Sequence, residues 1–312
     1  MKLLFLLLSM FWLLEAKTTS RTQVIMSTFI TIKTDKKNEK YIEDGFEIMK
    51  SVDMSLSSYN KDAKVFLLNK NLHVSLDAYL YEALSLCKYY YKVSYGYFDI
   101  TVGSITKDLY RFGEDERVAS ASELKSAKID FNALKFNEKE AFIEDGMKVD
   151  LGGMGKGFGV QKVADYLKKM QVDDAIISAS GDIRCLSTCK IEVQNPFDEE
   201  SRLLSFETLK SDMGISTSGN YNRYILSKEN NHLIDPKAKK PQMLFASITL
   251  ISSLSSASLD AYATAASVMP TNKAYEFLDT LDVAYIIVQS DKEIVISKNI
   301  ASYVKNLSNF SK

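Results

Sequence analysis

The chain has 312 residues, 46% of them hydrophobic and 25% charged, and 39 basic against 40 acidic side chains leave a net charge of −1. This is globular composition, with enough length to bury a core in one large domain or two modest ones. The even charge balance, with no long Lys/Arg block, excludes a nucleic-acid partner held by a basic footprint, and the two histidines (His73 and His232) leave no set of ligands for a zinc cluster.

Residues 1–16, MKLLFLLLSMFWLLEA, carry one lysine and then an apolar run from Leu3 to Leu14. Twelve residues are short for a bilayer span and fit the core of an export signal, with a cleavage site at Leu14-Glu15-Ala16; an uncleaved N-terminal anchor is the alternative. Either reading exports residues 17–312, taken as one domain. No cysteine lies near residue 16, so no lipid anchor is expected, and no later segment has a long charge-free apolar run. Cys185 and Cys189, separated by Leu-Ser-Thr in a turn-like stretch, could pair in an oxidising compartment. Cys87 reads as a buried apolar residue.

Residues 23–33 (QVIMSTFITIK) predict a strand rich in β-branched residues. Helices are predicted over 36–56, with Ile42, Phe46, Met49 and Val52 on one face, and over 76–92, with Leu80, Leu84, Cys87 and Tyr91 on another. The stretch YGYFDITVGSITKDLYRFG reads as loop. A short helix over 121–128 and strands over 129–150, around Asp145-Gly146, follow. Val160, Val163, Ala164, Leu167 and Met170 mark a helix after a glycine cluster. Strands are expected at 175–180 and 244–252, helices at 258–269 and 272–281, and a hairpin across Ser290-Asp291-Lys292. Helix pairs mixed with antiparallel strands indicate an α+β fold.

The glycine cluster is the densest signal: DLGGMGKGFG places Gly152, Gly153, Gly155, Gly157 and Gly159 where a strand-like segment opens into a helix. Such a turn can present N–H groups to phosphate or can serve close helix packing. It matches neither the Walker loop nor the dinucleotide fingerprint. In SLDAYAT, Asp260 and Thr264 share one helix face and could hold a hard cation such as Mg²⁺, or form a plain polar stripe. Ser216, Thr217 and Ser218 are phosphate or ribose contacts or turn residues. His232, close to Asp235, is a general base or a surface histidine.

Taken together, these segments resemble the ApbE family, the FAD:protein FMN transferases. VIMST, LSSYNKDAKVFLLN, YFDITVG, DLGGMGKGFGVQKVADYL, SGDIR, ISTSGNYNR, HLIDP and SLDAYATAASVM match that family's motifs in order, from about residue 23 to about residue 290. The resemblance implies an ApbE-like, T-fold-related mixed helix and antiparallel-sheet architecture with an FAD cleft. It implies Mg²⁺ on the pyrophosphate, attack by a Ser/Thr hydroxyl of a partner protein on the FMN-side phosphorus, and release of AMP. Asp260 and Thr264 would hold the metal, with carbonyls near Gly155 and Ala263. Lys156, with Gly152 and Gly153, would meet the phosphates, and His232 would accept the hydroxyl proton. Met26, Tyr59, Tyr97, Phe98, Asp99, Thr217, Ser218 and Ile234 would line the FAD site. The partner would be an exported flavoprotein subunit of a membrane redox complex, placing the chain in the periplasm near the inner membrane. An FAD pyrophosphatase and a non-catalytic FAD-binding protein are the rival readings.

The sequence also departs from the family pattern. Gly155 stands where Ala is usual, and Ser27 and Ser180 each replace a glycine. Asn231 stands where a second His often occurs, and Ala238-Lys239 replace Thr-Gly.

Overall fold

The computed structural model describes residues 17–310, so the export signal read over 1–16 lies outside the described residues. The main sheet has eight strands, and their order in the sheet is their order in the chain. They are β1 (Thr18–Ile25), β2 (Thr28–Asp35), β3 (Ile176–Ala179), β4 (Asp182–Cys185), β5 (Met213–Gly219), β6 (Phe245–Ser252), β7 (Ala284–Gln289) and β8 (Ile294–Ile296). Every neighbouring pair is antiparallel. Between β2 and β3 the chain leaves the sheet to build α1 (Lys40–Leu56), α2 (Lys64–Asn71), α3 (Ala78–Val93) and α4 (Gly155–Lys169). After β6 it adds α5 (Ser256–Val268) and α6 (Thr271–Asp279). The fold is the expected α+β class.

The strand period of two sorts the sheet into two faces. Ile30, Ile32, Ile177 and Ala179 pack on Ile42, Phe46 and Met49 of α1 and on Val160, Val163 and Leu167 of α4. Ile248, Leu250 and Ile287 pack on the side of α3 and α5. Cys185, Met213, Ile215, Ile251, Ile286 and Val288 face the other way. They are covered by a second, three-stranded sheet of Lys190–Asn195, Asp198–Thr208 and Val304–Asn309. Covered on both faces, β6 is buried at every position, which is why it reads as an unbroken apolar run. A Cys185–Cys189 disulfide ties the end of β4 to the start of the covering sheet. Among the described residues no helix is long and apolar enough to cross a membrane.

Four local expectations change. The single strand over 23–33 is a hairpin, broken at Met26 and Ser27, which take φ of 56° and 57°. That geometry belongs to a two-residue turn which usually announces itself with Asn-Gly, a signal absent here. The strands expected around Asp145-Gly146 pair earlier, as Lys135–Phe136 with Glu140–Phe142. The helix after the glycines starts inside the cluster, at Gly155. Ser216, Thr217 and Ser218, read as ligand contacts or turn residues, lie in central strand β5, which removes the turn alternative. Helix α2, strand β4 and the covering sheet carried no clear period in the sequence.

Candidate active site

The glycines divide by task. Helices α4 and α5 cross where Gly157 meets Ser256: a Cβ there would lie 2.3 Å from the Ser256 carbonyl oxygen and 2.7 Å from Asp260 Cβ. At Gly159 it would lie 2.4 Å from Met49 Sδ. These two serve packing. Gly152, Gly153 and Gly155 instead line a cavity of about 840 Å³, and at Gly153 a Cβ would press on Thr264. The close crossing lets the Gly157 N–H, at the open N-terminal turn of α4, donate to Asp260 Oδ2 at 3.0 Å.

Beside that contact the Lys156 ammonium lies 3.1 Å from Asp182 Oδ2 and 3.5 Å from Asp260 Oδ2. Asp182, from β4, accepts the Ser216 hydroxyl through Oδ1, while Oδ2 is buried and makes ion-pair contact with the lysine outside hydrogen-bond geometry. Thr264, one turn beyond Asp260, shares a hydrogen bond with Ser218 at 3.3 Å. Burial, and then repulsion from Asp182, push Asp260 up to about 7. Burial opposes the charge of Lys156, but the two carboxylates outweigh it and hold its pKa above the usual range. Two buried carboxylates thus share one ammonium beside hydroxyl oxygens, and the second carboxylate needs either a proton, which the raised pKa of Asp260 favours, or a further cation. An acceptor without a hydrogen bond and an all-oxygen donor set suit a hard divalent cation. Among the described residues no group of three or more His, Cys, Asp and Glu side chains could cage a metal alone. The donor set therefore fits an ion shared with an anionic ligand, the usual state of Mg²⁺ at phosphates.

The other end of the cavity is aromatic and cationic. Gly103 lets a one-turn helix, Gly103–Thr106, lie against the Lys148–Asp150 backbone, where a Cβ would come within 2.5 Å of the Lys148 carbonyl. Thr106 then donates to half-buried Asp150 at 2.8 Å, and the Gly152 N–H donates to the same carboxylate at 3.0 Å. Burial works against the Asp150 charge, but Lys107 and Arg223 prevail and keep its pKa below the ordinary carboxylate range. Arg223 donates to the Tyr59 hydroxyl, and its guanidinium lies 5.8 Å from the Tyr59 ring centre and 5.5 Å from that of Phe112. His232 Nδ1 lies 3.1 Å from the Arg223 carbonyl oxygen. With that oxygen accepting, Nδ1 holds the proton and Nε2 keeps a free lone pair. Burial and the Arg223 charge push His232 down to about 4, so its ring is neutral at pH 7.

Of the residues singled out from sequence, Met26, Tyr59, Tyr97, Phe98, Asp99, Gly152, Gly153, Gly155, Lys156, Thr217, Ser218, His232, Ile234, Asp260 and Thr264 all line this one cavity. Ala263 does not, and its carbonyl accepts the Ser267 hydroxyl at 2.8 Å. Asp99 is partly structural: its Oδ1 accepts the Thr101 N–H and hydroxyl at 2.8 and 2.6 Å. Asp150, Asp182 and Arg223 sit inside quoted motifs yet were not assigned roles. Lys107 carried no sequence signal, since one lysine among many in a loop is ordinary.

The sequence model described as the ApbE family matches residues 26–287. An FAD:protein FMN transferase of Haemophilus influenzae is 28% identical over 290 residues, covering 85% of this chain and 83% of the relative. An ApbE protein of Thermotoga maritima has the same fold at a TM-score of 0.83, with 22% identity, 93% of this chain covered and all of the other. The flavin transferase ApbE of Vibrio cholerae superposes at a TM-score of 0.80, with 20% identity, covering 92% of this chain and 99% of that one. Eight antiparallel strands in chain order, a glycine-permitted helix crossing and a cleft lined by the expected residues agree with that match. The chain belongs to the ApbE family.

Proposed function

We propose that the chain is a Mg²⁺-dependent FAD:protein FMN transferase working outside the cytoplasm. The observation that carries this reading is the Lys156–Asp182–Asp260 group on the wall of a cavity whose far end is aromatic. A dinucleotide needs both: oxygen ligands and a cation for its pyrophosphate, and flat apolar faces for its rings. Asp260 and Thr264 would hold Mg²⁺, with the Gly155 carbonyl nearby. When bound, the ion would neutralise pyrophosphate charge and favour departure of the nucleotide leaving group.

The chain's own side chains do the rest. Lys156 points its ammonium at the phosphates and keeps the two carboxylates from repelling them. His232, neutral and with Nε2 free, takes the proton of the acceptor's Ser or Thr hydroxyl. That oxygen forms a bond to the FMN-side phosphorus, and the bond from phosphorus to the bridging oxygen breaks, leaving with AMP. The aromatic rings of Tyr59, Tyr97 and Phe98 hold the nucleotide in line and keep water from the same position. The Cys185–Cys189 bridge supports an oxidising compartment, as expected for a protein exported to the periplasm. The acceptor would be an exported flavoprotein subunit.

The test incubates the purified protein with FAD, Mg²⁺ and an acceptor domain, followed by denaturing electrophoresis. A fluorescent acceptor band that disappears with EDTA supports the proposal. A dark band with AMP release points to FAD hydrolysis, and a dark band without AMP to a protein that only binds flavin.

A further inference from the structure

Lys107 is the one buried lysine whose ammonium has no hydrogen-bond partner among the described residues. It is 6% exposed and does not itself line the cavity. Its Nζ lies 3.0 Å from the centre of the Tyr59 ring, which does. The ammonium thus lies over one face of a ring whose residue lines the cleft. Two other contacts hold the same ring and a third holds its backbone. Arg223 holds its hydroxyl, Gly113 packs on its edge where a Cβ would sit 3.1 Å from Cε1, and the Ser57 hydroxyl accepts the Tyr59 N–H at 3.3 Å.

A buried cation with unmet donors is costly, and such features persist where the surroundings over-determine them, most often at binding sites. The charges facing Lys107 are Asp150 and Glu114, which favour its proton, and Arg223 and Lys148, which oppose it. Lys148 is itself paired with Asp108. Burial, acting first, pulls Lys107 down to about 8.

We infer that Lys107 is a positioning residue for ring recognition: its ammonium clamps one face of Tyr59, presenting the opposite face of the ring to an aromatic ring of the bound dinucleotide. The inference rests on the flavin-transfer reading and deepens it, since it concerns how the cleft grips FAD rather than how phosphorus reacts. It requires the charged form of Lys107. FAD affinity should therefore fall as pH rises through about 8, while the chemical step keeps its own profile.

The test measures FAD binding to the full chain by flavin fluorescence on both sides of that pH, in wild type, Lys107→Met and Lys107→Arg, with turnover at saturating FAD alongside. The methionine variant should bind FAD roughly tenfold more weakly near neutral pH, the scale of a desolvated cation–π contact, with kcat within about twofold of wild type. Its affinity should no longer change through pH 8. The arginine variant should keep the affinity above pH 8, because guanidinium does not titrate there. Wild-type affinity that stays flat through pH 8 overturns the inference without any variant. So does a methionine variant with the wild-type KM, or one whose loss falls equally on kcat at saturating FAD. FAD that binds no form at any pH overturns the transferase reading together with this one. FAD bound and FMN transferred by Lys107→Met at the wild-type KM overturns this inference alone.

Discussion

The two ends of the cleft solve opposite electrostatic problems with the same kind of backbone device. At one end, Gly157 lets two helices touch, and the result is a pair of buried carboxylates with a single lysine between them. At the other, Gly103 lets a one-turn helix touch a neighbouring segment, and the result is two cations, Lys107 and Arg223, around Tyr59 and Asp150. The first end has more carboxylates than cations and suits a metal; the second has a cation without a hydrogen bond and suits ring recognition. Substitutions at Lys156 and Asp260 should therefore act on turnover, and substitutions at Lys107 on binding, with His232, which feels the charges of both Lys156 and Arg223, joining the two.

The largest break should come from Asp260→Ala. It removes the carboxylate that faces both Lys156 and the Gly157 N–H, and Mg²⁺-dependent transfer should fall to background while FAD still binds. Transfer that continues at the wild-type rate would remove the metal assignment. His232→Ala should come next, with transfer slowed roughly 10²–10⁴-fold, the usual range for a lost general base, and FAD affinity changed much less. Equal losses in rate and affinity would place His232 in binding and not in proton transfer.

The contrast between packing and lining glycines gives a third test. Gly157→Ala drives a Cβ into the Ser256 carbonyl, so the helices must separate, at a cost of about 1–3 kcal/mol and with Asp260 displaced. Gly155→Ala meets nothing nearer than Met26 Cε at 3.5 Å, so it should fold and turn over as wild type. Thermal melts and turnover of the pair decide between packing and ligand approach as the reason for each glycine. The alanine usual at position 155 in the family fits the same space.

Lys107 gives the fourth, with a sign set by linkage. Its folded pKa of about 8 lies below the ordinary 10.5, so between those values the unfolded chain holds a proton that the folded chain has released. Stability then rises with pH across that window. The difference in melting temperature between ligand-free wild type and Lys107→Met should shift toward wild type as pH climbs from 8. FAD affinity over the same window should move the opposite way, which separates the clamp from a general alkaline effect.

How much of this was legible depends on whether local pattern or long-range contact carried the information. The face of α1 at Ile42, Phe46, Met49 and Val52 follows helical spacing, and all four residues are buried as read. Asp260 and Thr264, four apart, necessarily share a helix face. But no spacing links Asp182 to Lys156, 26 positions earlier, because their contact depends on β4 lying beside β5 under α4. Lys107 was invisible for the same reason: its partner Tyr59 sits in another loop. The turns at Met26-Ser27 and Ser180 were hidden because non-glycine residues hold positive φ there. Such residues read as continuing strand.

Ser180 makes the smallest and sharpest test. It forms the β3–β4 hairpin with Gly181 and takes φ of 57°, the left-handed region that glycine enters freely and other residues enter at a cost of roughly 1–2 kcal/mol. Serine replaces the family's glycine at this position, yet the turn keeps the glycine-like conformation. Gly181 beside it cannot be exchanged, because a Cβ there would lie 2.8 Å from the Thr217 carbonyl. Ser180→Gly relieves the strain but enlarges the freedom of the unfolded chain, and the two terms together should leave a gain of up to about 1 kcal/mol. Ser180→Ala, which keeps a Cβ, should show none. Strained residues gather at functional sites, and Asp182 is two residues away. If the strain only marks chain history, Ser180→Gly will melt higher with unchanged transfer; if it aims Asp182 at Lys156, the same variant will melt higher and transfer more slowly.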